Sequence, residues 1–167
     1  MNCALVQPEN KTNLMAGWLA VETALRKTDP LRFNEIPWCE RQVNRFLDKA
    51  ERLARKADHR PAKLFAAFDR EFAETGPWEA QVPFVIMFAC ARLCDGDPLA
   101  TLALITEWGH DIDSYPQLAG AFIGALHGQE IFPKDARTEV ESRLLADYDE
   151  NLDAWLKVLN QAAKLGH

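Results

Sequence analysis

The chain has 167 residues, of which 48% are apolar and 26% charged, and its formal net charge is −6. This length and composition predict one soluble globular domain with a sizeable core, residues 1–167, whose first 12 residues are loosely ordered. The acidic balance argues against binding to nucleic acid or anionic membranes, and the absence of a signal-like or membrane-spanning segment favours the cytoplasm.

The first half of the chain shows helical periodicity. A helix capped by Thr12 or Asn13 is predicted to run to about Lys27, and a strongly amphipathic helix to run from Pro37 to about Ala57. The outer face of that second helix is basic, which would suit a diphosphate or an acidic partner, but we favour a solvated face. Its cationic residues are Arg41, Arg45, Lys49, Arg52, Arg55 and Lys56, continuing to Arg60 and Lys63.

The middle of the chain is predicted to hold the core. Pro61 begins a helix with a stripe of phenylalanines, and residues 78–94 are apolar almost all round, as in a central, enclosed helix. The cysteines of that segment, Cys90 and Cys94, share one face and are interpreted as buried reduced thiols. Asp97 and Pro98 then fit the N-cap and first position of a helix that ends near Trp108.

The segment from Trp108 to Pro133 carries the most distinctive pattern. Ser114 and Gln117 fit a capping box at the start of a helix, and this helix carries Gly120, Gly124 and Gly128 at four-residue spacing. Since glycine is unfavourable inside helices, the spacing predicts that another backbone approaches this face closely and that this helix is the most enclosed one.

Two further helices are predicted to close the chain, at about 134–148 and 151–164. The last of them is expected to bury one apolar side of its surface, formed by Leu152, Leu156, Leu159 and Ala163. No stretch alternates as a strand would, so the predicted fold class is all-α, a multi-helix bundle.

Asp111 and Asp113 stand directly before the glycine-bearing helix, followed by Ser114. Carboxylates there can serve as helix caps, since they interact favourably with the helix dipole. Two so close together repel each other unless a cation or hydrogen-bond donors lie between them, so a metal site is an equal alternative. An EF-hand calcium loop requires glycine at its sixth position and glutamate at its twelfth. Neither residue stands at those positions here, which excludes that kind of site.

The spacing of these residues resembles the C-terminal signature of the ADP-ribosylglycohydrolase family, most closely over residues 78–133. The shared pattern is Gly109-x-Asp111-x-Asp113-Ser114, then Ala119-Gly120-Ala121 and Gly124-Ala125, with Gly128 and Pro133. The resemblance implies an all-α fold, bound magnesium, and hydrolysis of the glycosidic bond that joins ADP-ribose to a modified side chain. It also implies metal ligation by Asp111, Asp113 and Ser114, with Gly109 and His110 beside the substrate.

The chain departs from the family in ways that bear on activity. The family's N-terminal Thr-Asp-Asp metal-binding run is missing, and the nearest string is Thr28-Asp29-Pro30. His110 replaces a usual glycine, and no catalytic residue can be assigned. We therefore expect half of a metal site, completed by a second chain or a homo-oligomeric mate, and ADP-ribose or an ADP-ribosylated protein as ligand. The alternative is a non-catalytic helical interaction module.

Overall fold

The computed structural model describes residues 14–28, 43–75 and 79–165. These residues form eight α-helices, one short 3₁₀ turn at Gln129–Ile131 and no strand, which confirms the all-α prediction. The helices are α1 (Leu14–Thr28), α2 (Val43–Ala57), α3 (Pro61–Glu71), α4 (Gln81–Leu93), α5 (Pro98–Trp108), α6 (Ser114–His127), α7 (Lys134–Tyr148) and α8 (Leu152–Leu165). None of these helices is long and apolar enough to cross a membrane.

The chain divides into two compact units, Met1–Gly128 and Gln129–His167. In the first, helix α4 is the core: it is buried from Val85 to Ala91 and contacts α1, α2, α5 and α6. This confirms the prediction of a central, enclosed helix within residues 78–94. The single-domain organisation of residues 1–167 stays a prediction.

The core of the first unit is rich in aromatic side chains. Trp18 of α1 is fully buried and stacks on Phe122 of α6, and both rings contact Phe88 of α4. Apolar α2 residues spaced three and four apart are buried beside them, which confirms the stripe read from the sequence; they are Leu47, Ala50, Leu53, Ala54 and Ala57. The predicted start of that helix at Pro37 lies outside the described residues.

The prediction of close packing at the helix glycines is wrong for Gly120. A Cβ added there would meet nothing within 4 Å, and the residue is only partly buried. Gly128 ends helix α6 with a φ of 77° and likewise faces open space. Gly120 and Gly128 therefore meet no close backbone, while close packing at Gly124 stays a prediction. Among the described helices, α4 rather than α6 is the most enclosed.

The close backbone approach occurs instead at Gly96, in the turn between α4 and α5. Its φ is +78°, and a Cβ there would lie 2.5 Å from the backbone nitrogen of Met15. The indole Nε1–H of Trp18 donates to the carbonyl oxygen of Gly96 at 3.2 Å. Glycine at this position lets helix α1 cross the turn, because a side chain would collide with the α1 backbone.

The basic face of α2 is only partly free in solvent. The guanidinium of Arg52 and the ammonium of Lys49 both bind Glu71 of α3, at 2.9 Å and 3.0 Å. Burial raises the pKa of Glu71, but these two cationic partners outweigh burial and lower it overall. Arg45, Arg55 and Lys56 are exposed, as predicted, whereas Arg41 lies outside the described residues.

The second unit consists of the 3₁₀ turn, α7 and α8. No described residue in it is buried. The prediction that α8 buries Leu152, Leu156 and Leu159 is therefore wrong, because all three are exposed. Helical periodicity correctly identified which residues share a side of α8, but it carries no information about what covers that side.

Candidate functional site

The start of helix α6 presents the predicted site residues. The helix begins at Ser114, whose backbone N–H donates to the Oδ1 atom of Asp111 at 3.1 Å. Asp113 occupies the N-cap position but makes no capping bond with its side chain. The capping-box interpretation is thus wrong: Ser114 lies inside the helix, and the side chain that caps it belongs to Asp111, three residues earlier.

Asp111 and Asp113 stand two residues apart at the start of α6. The neighbouring Asp113 side chain, followed by the hydrogen bond from the Ser114 backbone, lowers the pKa of the Asp111 carboxyl. Two carboxyl groups this close can share a proton or a cation. Both functions that the sequence allowed, capping and a closely spaced acidic pair, therefore occur together at Asp111.

A pocket of about 480 Å³ is lined in part by His110 and Tyr115, the residues that flank the segment from Asp111 to Ser114. Its walls come from α3, α4, the end of α5 and the start of α6, and aromatic side chains dominate them. Its size falls in the range of small-molecule sites, and an apolar lining with a few polar groups is typical of them. The lining residues are Phe68, Asp69, Phe72, Ala73, Thr75, Val82, Trp108, His110 and Tyr115.

Asp69 of α3 organises the polar edge of the pocket. Its Oδ1 atom accepts from the indole Nε1–H of Trp108 at 3.0 Å and lies 3.3 Å from Nε2 of His110. The Trp108 and His110 rings pack against each other with centroids 4.2 Å apart. Asp69 and Trp108 therefore hold the imidazole of His110 over the pocket mouth, although the His110 side chain is 55% exposed.

Tyr115 connects the pocket to the acidic pair. It is buried, its ring stacks on Trp108 with centroids 6.0 Å apart, and its backbone N–H donates to the Asp111 carbonyl. Burial, followed by the negative charge of Asp111, raises the pKa of the Tyr115 phenol. The phenol is therefore protonated at neutral pH and keeps its capacity to donate a hydrogen bond.

The acidic pair fits magnesium in the type of its donors but not in their number. Carboxylate and hydroxyl oxygens are the ligands that magnesium prefers, and Asp111, Asp113 and Ser114 could fill at most three of six positions. Across residues 14–28, 43–75 and 79–165, no three His, Cys, Asp or Glu groups converge on a point that could hold a metal ion. Metal ligation by Asp111, Asp113 and Ser114, and the expected half of a metal site, stay predictions.

Of the predicted site residues, the structure brings His110, Asp111, Asp113 and Ser114 together over one loop and the first turn of α6. Gly109 serves as the C-cap of α5 with a φ of 83°, a left-handed conformation that glycine adopts without strain, so its role is to turn the chain. Sequence reasoning missed Asp69, Trp108 and Tyr115. Only Trp108 and Tyr115 had a local signal, because they flank the Asp-x-Asp motif; Asp69 arrives from 39 residues upstream of Trp108.

The two described cysteines are distant from any ligand set. Cys90 is fully buried and Cys94 is partly buried, and burial raises the pKa of both thiols. The burial of Cys90 agrees with its interpretation as a buried reduced thiol. For Cys94 the agreement is partial, because its side chain is only partly buried. Cys3 and Cys39 lie outside the described residues.

Comparison with known proteins gives one match. The sequence model of the ADP-ribosylglycohydrolase family matches residues 4–165, nearly the whole chain. No curated protein and no solved structure shows a significant match. The match extends well upstream of residues 78–133, where the resemblance was closest, and includes the helices that build the core and the pocket. The Asp-x-Asp-Ser motif, the all-α fold around it and a match over this length together establish that the chain belongs to the ADP-ribosylglycohydrolase family.

Proposed function

We propose that this protein binds ADP-ribose at the pocket and the acidic pair, and takes part in hydrolysis of the glycosidic bond between ADP-ribose and a modified side chain. The observation that carries the proposal is the position of Asp111 and Asp113 in the chain, between two residues that line an aromatic pocket, His110 and Tyr115. The family match over residues 4–165 supports the same reaction class.

Asp111, Asp113 and Ser114 would supply one side of a magnesium site. When bound, magnesium would act as a Lewis acid beside the ribose. The rest of the work belongs to the chain: the aromatic walls exclude water from the bound ligand, and the protonated Tyr115 phenol is a hydrogen-bond donor next to Asp111. In the overall reaction, water adds to the anomeric carbon as the bond to the side chain breaks, and the departing atom gains a proton.

If these residues supply only one side of a magnesium site, a prediction about ligand binding follows that does not require turnover. Magnesium alone should bind weakly, because at most three protein oxygens replace its water and magnesium gives up water reluctantly. Ribose hydroxyls can supply the oxygen ligands that the protein lacks. Magnesium and ADP-ribose should therefore bind cooperatively, each raising the affinity for the other by the same factor, about five-fold or more.

Calorimetric titration of each ligand, with and without the other, measures this coupling. Asp111→Asn with Asp113→Asn should abolish it. The matched control is Asp97→Asn at the N-cap of α5, where the carboxylate accepts a hydrogen bond from the backbone of Ala100 at 2.7 Å. Asparagine caps helices as well as aspartate does, so this control removes a carboxylate at a helix start without disturbing the helix. Absence of coupling in the unaltered protein contradicts the proposed site.

An assay for release of ADP-ribose from an ADP-ribosylated protein distinguishes an active glycohydrolase from a non-catalytic binding module. We expect no turnover by the isolated chain, because half of the metal site is supplied elsewhere. Coupled binding without turnover under any condition supports a non-catalytic binding module, which is favoured by the lack of a three-ligand cluster in the described residues. Magnesium-dependent turnover by the chain alone, lost in Asp111→Asn, would instead place the remaining ligands in the residues between the described segments.

A further inference from the structure

The helical hairpin of α7 and α8 exposes an unusually large number of apolar side chains. Of the twelve large apolar residues in the described part of the chain that are exposed, eight belong to this hairpin, with 41–72% of their surface accessible. We call these eight residues the hairpin face: Val140, Leu145, Tyr148, Leu152, Trp155, Leu156, Val158 and Leu159. Isolated exposed apolar residues are ordinary in soluble proteins, but a contiguous set usually marks an interaction surface.

The hairpin face follows helical geometry. On α8, Leu152, Trp155, Leu156 and Leu159 recur at intervals of three and four and therefore form one stripe. Between the helices lies a groove of about 280 Å³. Leu145, Leu152 and Leu156 form its apolar part, and carboxylates stand around them; the remaining lining residues are Gln129, Glu141, Glu150, Asn151 and Asp153.

A two-helix hairpin with this surface needs a partner. Helices of 14 or 15 residues are marginal in water alone and depend on burial of an apolar side. No described residue of the hairpin reaches the buried class. The stripe on α8 therefore matches what a helix presents to a neighbour across a bundle interface.

We propose that the hairpin face binds the same face of a second copy of this chain, in a two-fold symmetric four-helix arrangement. A two-fold axis brings like surfaces together, so the apolar stripe of α8 can pack on its own copy. The charges beside the stripe agree with antiparallel α8 helices. Asp153, Lys157 and Lys164 recur at intervals of four and seven residues and so lie along one flank of the helix beside the stripe, negative at its start and positive at its end.

Antiparallel pairing sets the Asp153 end of one flank against the Lys164 end of the other. The groove adds Glu141 and Glu150 to the acidic end, whereas the two lysines lie towards the C-terminal end of α8. Parallel pairing would instead set this flank against the opposite flank of the partner helix, so the acidic and basic ends would not meet. The charge order thus favours one of the two orientations that the apolar stripe alone would permit.

The size of the surface predicts a modest affinity. A helix of 14 residues is roughly 21 Å long and about 10 Å wide, so two side by side cover on the order of 400 Å² in projection. Accessible area exceeds projected area because side chains protrude. A standard interface buries about 800 Å² per partner, so the hairpin face lies at the lower end of specific interfaces, where association is reversible and concentration-dependent.

Sedimentation velocity of the full chain, from about 1 to about 200 µM, covers the range expected for an interface of this size. We expect the mass to rise from one chain to two. Leu156→Asp with Leu159→Asp places four charges in the interface and should keep the chain monomeric throughout. The control is Leu99→Asp, since Leu99 is a large apolar residue of the first unit with a comparable exposure of 43%; it should dimerise normally.

A charge exchange tests the orientation without altering the apolar face. Asp153→Lys alone should weaken dimerisation roughly ten-fold or more, because it opposes Lys164 with a like charge. Adding Lys164→Asp should restore it. A chain that is monomeric at the highest concentration overturns the proposal, and so does a dimer that withstands Leu156→Asp with Leu159→Asp. Failure of the charge exchange to restore association overturns the antiparallel arrangement.

Discussion

At the scale of single residues, the most constrained position in the first unit is Gly96, and its sequence context gave little sign of it. Asp95-Gly96-Asp97-Pro98 reads as an ordinary turn. What fixes glycine there is the α1 backbone at Met15, about 80 residues away along the chain, together with the positive φ. Gly120, in contrast, belongs to a conspicuous glycine pattern and faces open space. A local pattern cannot distinguish these cases, because the decisive neighbour is distant in sequence.

The two glycines should respond to alanine in opposite directions. Gly96→Ala adds a methyl group against backbone in a left-handed conformation and should cost at least about 2 kcal/mol. Gly120→Ala should stabilise by roughly 0.5–1 kcal/mol, because alanine is the better helix former and nothing obstructs its Cβ. Urea denaturation of both variants gives the two free energies of unfolding. Equal effects of the same sign would contradict this account.

A buried ion pair between α1 and α4 is a second residue-scale feature. The guanidinium of Arg92 bonds the Oε2 atom of Glu22, which is 4% exposed, while Oε1 of Glu22 and Nε of Arg92 have no hydrogen-bond partner. Glu22→Gln leaves a largely buried cation and should cost roughly 3 kcal/mol. Replacing both residues by methionine should recover most of this loss, since no charge is then left buried. Thermal unfolding of the single and double variants measures the difference.

The same pair sets a pH dependence. Burial raises the pKa of Glu22 above its ordinary value of 4.5 even though Arg92 opposes the shift. The folded state therefore holds its proton at pH values where the unfolded state has lost it. This contribution to stability is complete below the unfolded pKa and is lost as pH rises through the folded pKa. Stability of Glu22→Gln should fall less than that of the unaltered protein as pH rises from about 4.5.

At the scale of elements, sequence periodicity located the eight helices of the described residues, and three starting or ending signals were accurate. Pro61 begins α3, Asp97 caps α5, and Trp108 ends it. These succeed because caps and prolines act within one turn of chain. The contacts between helices were harder to predict from the sequence. The Glu71 bridge to Arg52 and Lys49 and the exposure of the apolar side of α8 depend on contacts, or on their absence, that no local pattern encodes.

The bridge to Glu71 separates the cationic residues of α2 into two classes, those that bind Glu71 and those that are exposed on the helix surface. Arg52→Gln should cost about 1 kcal/mol, because it breaks a partly buried pair that joins α2 to α3. Arg55→Gln should change the free energy of unfolding by less than about 0.5 kcal/mol, since Arg55 is exposed on the same helix. Chemical denaturation of each variant checks the contrast. A large effect of Arg55→Gln would mean that the solvated-face interpretation is wrong there too.

At the scale of the whole molecule, burial is distributed unevenly between the two units. Helix α4 contributes eight buried residues, whereas α7 contributes none. Amide hydrogens in such elements exchange at very different rates, because exchange from a buried core helix requires extensive unfolding. We expect the slowest exchange in α4 and the fastest helical exchange in α7 and α8, measured by hydrogen–deuterium exchange at low protein concentration. Comparable protection in α4 and α8 under those conditions would contradict the uneven distribution.

Asp111 has two roles in the structure, and this affects how a loss of function at this site should be interpreted. Its carboxylate caps α6 and also belongs to the acidic pair, whereas the Asp113 side chain makes no capping bond. Selection for a well-formed helix could therefore preserve Asp111 in a lineage that had abandoned catalysis, so its persistence alone says nothing about activity. The Asp113 side chain has no such second role, because it does not cap the helix. Among natural variants of this protein, we expect replacement of Asp113 with retention of Asp111 where the proposed magnesium site is not used.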